Sequence, residues 1–354
     1  MRQLAIAGAG IAAAAAVAIA APRVVETFGH ALVRAVHADP VFVLGGVALE
    51  LASFVGYIAL FWHVASRATP RVGLRASAEI SLAGTAATRL LPTAGAGGAA
   101  LTFWSLRRAG QDNGTATRTL LSFLVVLYSV FLGSIAVVGT LLATGAVGDG
   151  SVPLELSAVP AAMAAGAIVL ALVFAARHRA DAAPSSRLRK VSHALGGAVR
   201  EALVLVRRPD GRLAGALAWW GFDMLVLWAT FSAFGAPPAA GVLVLGYFLG
   251  QVANTVPLPG AASGGMVGAF LALGMPAEVV LPAVLAYRAI AIWTPVPAGA
   301  AALAGLRRRV RVWALEDGIE IEATEEADVI PLPTRLPSPA SVPAVAHDAV
   351  PLAA

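Results

Sequence analysis

Residues 92–98 read PTAGAGG and residues 257–265 read PLPGAASGG, and each run interrupts an apolar stretch, 77–106 in the first case and 241–274 in the second. Proline removes a backbone donor and glycine is costly inside a helix, so neither run continues one. Hydrocarbon offers the freed amides no partner, and broken backbone survives at membrane depth only when it packs in protein or lines a water-filled cavity. The fold therefore turns on how these two breaks sit among the helices around them.

Those helices are set by composition. The chain of 354 residues is 58% hydrophobic and 13% charged, with a mean hydropathy of +0.80, whereas a soluble domain carries roughly a quarter charged residues. A membrane span needs about 20 mostly apolar residues. Six stretches qualify, at 4–22, 41–64, 119–143, 154–176, 214–234 and 279–305. Residues 4–22 follow Arg2 and end in small residues as a cleaved signal peptide would, but the later spans favour an uncleaved first span.

Charge decides the orientation. Nine Lys/Arg lie between 177 and 212, which predicts a cytoplasmic loop, whereas the loops at 144–153 and 235–240 contain none and should face outward. Arg67, Arg71 and Arg75 precede the first broken stretch and Arg107, Arg108 and Arg118 follow it. Both of its ends should thus be cytoplasmic, and the stretch should re-enter rather than cross. By the same parity the second, followed by Arg307, Arg308, Arg309 and Arg311, should dip in from the outer face.

The expected architecture is an all-α polytopic membrane protein with six spanning helices, two re-entrant broken-helix hairpins and an inverted repeat. The transmembrane domain covers 1–312, with one repeat at about 4–143 and the other at about 154–306. Aligning Pro92 with Pro259 superposes Gly97 and Gly98 on Gly264 and Gly265, and Glu50 and Asp223 each fall near the tenth residue of a span. Residues 23–39 and 194–208 read as amphipathic interfacial helices. Residues 313–354 turn acidic and then proline-rich, and are expected to form a disordered cytoplasmic tail.

Several function classes drop out. Without cysteine there is neither a disulfide scaffold nor a thiolate metal site, and the six histidines lack ligand spacing. No phosphate-binding glycine loop, His-Glu-x-x-His or Gly-x-Ser-x-Gly is present. No catalytic residue, metal or cofactor is expected, and an intramembrane enzyme is disfavoured. The net charge of +5 resides in short loops, which marks topology rather than nucleic-acid binding.

Candidate site residues follow from the same cost argument. A charge at mid-span costs at least about 2.5–3.5 kcal/mol and therefore pairs or faces a cavity. Glu50, Asp223 and Arg288 are such charges, and Arg89 stands just before the first break. One arrangement sets Arg288 against one acid and leaves the other for a cation or proton; a purely structural ion pair is the alternative. At Pro92, Gly95, Gly97, Gly98, Pro259, Gly260, Gly264 and Gly265, freed amides at half-helix starts suit an anionic headgroup; close helix packing is the competing explanation. Asn254 is placed to bond freed backbone, and Tyr247 and Tyr287 need partners for their hydroxyls. Trp219, Trp220, Trp228 and Trp293 read as interfacial anchors before ligand stackers, and His63 as an interfacial residue closing its span.

Taken together, Gly246-Tyr247-Phe248-Leu249-Gly250, Asn254-Thr255-Val256-Pro257-Leu258-Pro259-Gly260, Gly264-Gly265 and Ala286-Tyr287-Arg288 resemble the transmembrane-region family of lysylphosphatidylglycerol synthase/flippase. Leu91-Pro92-Thr93-Ala94-Gly95, leading into Leu106-Arg107-Arg108-Ala109-Gly110, fits the same pattern, and the likeness covers about 40–310. The resemblance implies a multi-pass protein of a bacterial plasma membrane, both termini cytoplasmic, moving a phospholipid or lipid-linked substrate between leaflets. An anionic lipid suits the half-helix dipoles and Arg288, and a homo-oligomer is compatible with this reading. A membrane-embedded binding or regulatory partner of an envelope lipid enzyme is the alternative. The family usually has a glutamate where Met266 stands, and glycines where Ala261 and Ser263 stand; its soluble aminoacyl-transfer domain has no counterpart in this sequence.

Overall fold

The computed structural model describes residues 39–90, 95–147, 152–177, 187–208, 210–235, 237–255 and 260–318. The span expected at 4–22, nearly all of the helix at 23–39, Pro92, Pro259 and the tail beyond 318 lie outside the described residues. Eleven α-helices occur among those described: α1 Pro40–Ala65, α2 Leu74–Leu90, α3 Ala96–Arg108, α4 Asn113–Ala143, α5 Leu154–Arg177, α6 Arg187–Arg207, α7 Gly215–Phe234, α8 Ala240–Val252, α9 Ala261–Ala272, α10 Ala277–Trp293 and α11 Pro295–Glu316.

Five helical stretches are long and apolar enough to cross a membrane: α1, α4, α5, the 24 residues that join a 3₁₀ turn to α7, and the 40 residues formed by α10 and α11 together. They coincide with the last five of the six spans expected, and the chain is an all-α, multi-pass membrane protein. Two boundaries differ from expectation. Helix α4 starts at Asn113 rather than 119 because Asp112 caps it, accepting from the amides of Gly114 and Thr115 at 2.8 and 3.1 Å. Helix α11 runs past 305 to Glu316 because Leu306, Val310 and Trp313 keep one buried face while the intervening arginines stay helical.

At the centre α1 and α7 run antiparallel and nearly touch. A methyl added at Gly215 would lie 2.1 Å from the Gly56 carbonyl oxygen, so glycine at both positions lets two backbones meet. Beside this crossing Tyr57, Phe61, Phe123, Phe131, Trp219, Trp220 and Phe248 form a chain of mostly edge-to-face rings. Trp219 and Trp220 are buried here, with the Trp220 indole donating to the Leu127 carbonyl at 2.8 Å. They are core residues and not the interfacial anchors expected; only Trp228 and Trp293 are exposed.

Both broken stretches fold back on themselves. Helix α3 returns along α2, with Gly98 against Gly84 and Thr88, and α9 returns along α8, with Gly265 against Ala253, Met266 against Gly250 and Phe270 against Gly246. The returning helix opens in each case on a glycine of positive φ, Gly95 at 85° and Gly260 at 79°, a conformation L side chains rarely take.

The arginine-rich ends gather on one side. Thr69 donates to the Ala109 carbonyl at 3.2 Å, Arg71 grips Asp317 through two bonds of 2.9 and 2.6 Å, and His63 Nδ1 lies 3.3 Å from Asp210. The Thr69–Ala109 contact brings the two ends of the first broken stretch together. At the opposite end Leu142, Leu245 and Leu273 pack together, and no Lys or Arg occurs from 119 to 176 or from 213 to 287. Helix α6 begins earlier than the expected 194 and buries Ala198, Val199, Ala202 and Leu205, packing on α4 and α5.

Candidate functional site: a buried charge cluster between the two breaks

Glu50 projects from the middle of α1 and is wholly buried. Arg89, in the last turn of α2, reaches it with Nη2 3.5 Å from Oε1, while its Nη1 donates to the Ala291 carbonyl on α10 at 2.6 Å. One guanidinium thus ties the end of the first hairpin to α1 and α10. It also lies within electrostatic reach of Asp223, Tyr247 and Tyr287.

Asp223, on α7, is 2% exposed. Its Oδ2 accepts from the hydroxyls of Tyr247 and Tyr287, the latter at 2.7 Å. Gln251 Nε2 donates to the Tyr287 hydroxyl at 3.2 Å, and Asn254 donates to Gln251 Oε1. A relay of side chains therefore runs from Asn254, just ahead of the second break, to Asp223. Tyr247 and Gln251 are four residues apart on α8 and share a face.

The charges of Asp223, Arg89 and Arg288 all act on Glu50. Two carboxyls and two guanidiniums, from four helices, make up the cluster. Asp223 Oδ1 and Arg288 Nε have no hydrogen-bond partner among the described residues, and Glu50 Oε1 has the 3.5 Å ion pair with Arg89 in place of a hydrogen bond. Buried polar atoms left this way carry a desolvation penalty of about 1–3 kcal/mol each, more when charged. Such a set is costly to bury.

The structure revises the expected ion pair. Arg89 holds Glu50, and no carboxylate lies within ion-pair distance of Arg288 among the described residues. Tyr287 already faces Asp223, and the next residue on a helix points about 100° away. Asn254 donates to the Gln251 side chain; the backbone at 256–259 that it was expected to meet lies outside the described residues. Gln251 was missed by sequence reasoning, although a lone amide in the apolar run GYFLGQVA was the available signal. His63 is buried at the basic end, far along α1 from Glu50.

The glycines divide by role. Gly95 and Gly260 allow the positive φ that starts a returning helix, whereas Gly98 and Gly265 are close-packing contacts. Gly264 is exposed, and Gly97 lies between Gly98 and the opening turn. Met266 is fully buried, and a methyl on Gly250 would meet its Cα at 2.6 Å. It packs between α8 and α9, and the cluster is built without it.

These features define a multi-pass helical membrane protein whose two broken helix pairs end beside one buried polar cluster. Residues 4–299 match the lysylphosphatidylglycerol synthase transmembrane region, and the chain belongs to that family. The match begins well before residue 40, where the likeness was expected to begin, and ends at 299. No curated protein matches the sequence. Among the described residues no group of three or more His, Asp or Glu side chains is placed to hold a metal ion.

Proposed function

We propose that this protein is a lipid flippase-like transporter that moves an anionic phospholipid or lipid-linked molecule between the leaflets of a bacterial plasma membrane. The observation that carries the reading is that the helix ends preceding both breaks meet at one buried charge cluster. Arg89 and Asn254 each stand six residues before a positive-φ glycine, and each leads into the network around Glu50 and Asp223. A headgroup passing the hairpin tips would find Arg89 and Arg288 for its phosphate and the opening amides of α3 and α9 for its remaining charge. Membership of a transmembrane lipid-synthase family supports lipid as the substrate class.

In this reading α2–α3 and α8–α9 are re-entrant hairpins from opposite leaflets, and with the span at 4–22 the chain crosses six times. The packing supports an inverted repeat in which α1 corresponds to α7, each hairpin to the other, and α4 to α10 with α11. Gly299 of α11 packs on Leu82 and Ala86 of α2, while Gly241 of α8 packs on Leu142 of α4. Each hairpin is thus braced by the last span of the other half. Positive charge at the basic end orients that end, and both termini, to the cytoplasm.

The test is leaflet exchange of a fluorescent phosphatidylglycerol in vesicles reconstituted with the full chain. Asp223→Asn and Arg89→Gln are each expected to slow exchange at least tenfold at unchanged protein incorporation. Exchange by both variants at the wild-type rate, or lipid binding by the wild type without any exchange, overturns the proposal.

A further inference from the structure

A second basic site lies outside the cluster, on the surface where α2 meets α11. A cleft of about 530 Å³ runs between them, bordered by Arg75, Glu79 and Leu82 on one side and Ala301, Gly305 and Arg308 on the other. That volume falls within the roughly 300–1,000 Å³ of small-molecule sites. Below Arg308 the α11 wall is lined by Ala298, Ala301, Ala302, Ala304 and Gly305, and at Gly305 the helix comes close to α2, a methyl there standing 3.0 Å from the Glu79 carboxylate.

Its charge is unbalanced. Glu79 is already held by Arg309, through bonds of 2.6 and 3.0 Å, and Arg75 Nε stands 3.4 Å from it. Arg308 is exposed and has no carboxylate within ion-pair distance among the described residues. The Arg75 side chain is 86% exposed, so its remaining donors point to the surroundings. Away from these arginines the walls turn apolar, with Leu82, Ala298, Ala301 and Ala302 continuing toward mid-span.

We infer that this cleft binds one anionic phospholipid from the leaflet at the basic end, its phosphate between Arg75 and Arg308 and an acyl chain along the alanine wall. A cationic rim over an apolar trough within a spanning helix matches an amphiphile with a negative head: a free anion leaves the trough unfilled, and in a zwitterionic lipid the headgroup cation offsets the attraction of the rim for the phosphate. The site is separate from the transport cluster. Its occupancy is read as binding, so a failed transport assay leaves it standing and its own failure leaves transport standing.

The experiment measures lipid binding to the full chain in zwitterionic nanodiscs doped with palmitoyl-oleoyl phosphatidylglycerol, by native mass spectrometry. One phosphatidylglycerol is expected to be retained at least tenfold more tightly than phosphatidylcholine. The double variant Arg75→Gln/Arg308→Gln should lose that preference while Arg118→Gln, elsewhere on the same basic end, keeps it. Ala301→Trp fills the trough with all charges intact and should weaken binding comparably. Equal retention of the two lipids, a preference that survives the double variant, no effect of Ala301→Trp, or displacement by glycerol 3-phosphate at the lipid's own affinity each overturns the inference.

Discussion

Asp223 is held by two tyrosine hydroxyls on different helices, which makes it a junction as well as a charge. Hydrogen bonds to a charged group contribute about 1.5–3 kcal/mol each. Tyr287→Phe should therefore lower thermal stability in detergent by about that amount, and Tyr247→Phe by a similar amount. Because both donate to one oxygen, the double variant should depart from additivity, which a double-mutant cycle would detect. A second residue-scale prediction concerns pH. The bond from Arg71 holds the Asp317 carboxyl below the usual carboxylate range. A carboxylate lowered on folding contributes stability above its unfolded value of about 3.9, and loses it as pH falls through the folded value. Asp317→Asn should lower the melting temperature slightly at pH 7, and the difference from wild type should shrink as pH falls below the ordinary carboxylate value and vanish once the folded carboxyl is protonated. A difference that persists in acid would remove the ion pair from the account.

Among the helices, the close contacts separate glycines that matter from those that do not. A methyl at Gly98 would lie 2.4 Å from the Gly84 carbonyl, and one at Gly215 2.1 Å from that of Gly56, whereas Gly166 on α5 has nothing within 4 Å. Backbone cannot yield as a flexible side chain does, and forced insertions of this size cost about 1–3 kcal/mol. Gly98→Ala and Gly215→Ala should each lower the melting temperature by several degrees, and Gly166→Ala should not lower it. Equal behaviour of the three in a thermal-shift series would contradict the packing described. The positive φ of Gly95 and Gly260 makes a separate case: there the strain comes from backbone conformation in open space.

For the molecule as a whole, the two breaks, the basic end and the opposing apolar end make one topology. Reporter fusions after residues 112, 148, 195, 237 and 276 should read inside, outside, inside, outside and outside. An outside signal at 112 or 195, or an inside signal at 276, would require one of the broken helix pairs to cross the membrane. The exposed apolar side chains of α1 and α5, among them Leu44, Leu51, Val55, Met163 and Leu170, form the surface a bilayer would cover.

Much of this was legible beforehand because membrane proteins write their solvent into their sequence. Apolar stretches of the required length located five helices, and proline with glycine located both breaks, since neither signal depends on what packs where. Glu50, Asp223, Arg89, Tyr287 and Arg288 stood out by the cost of polar groups in hydrocarbon, again a local property. The partners did not. That Arg89 rather than Arg288 holds Glu50, that Gln251 joins the network, that Met266 packs against Gly250 and that Trp219 and Trp220 lie in the core depend on helix rotation and on which helices cross. Those are set by long-range contacts such as Gly56 with Gly215, and no single stretch of chain encodes them.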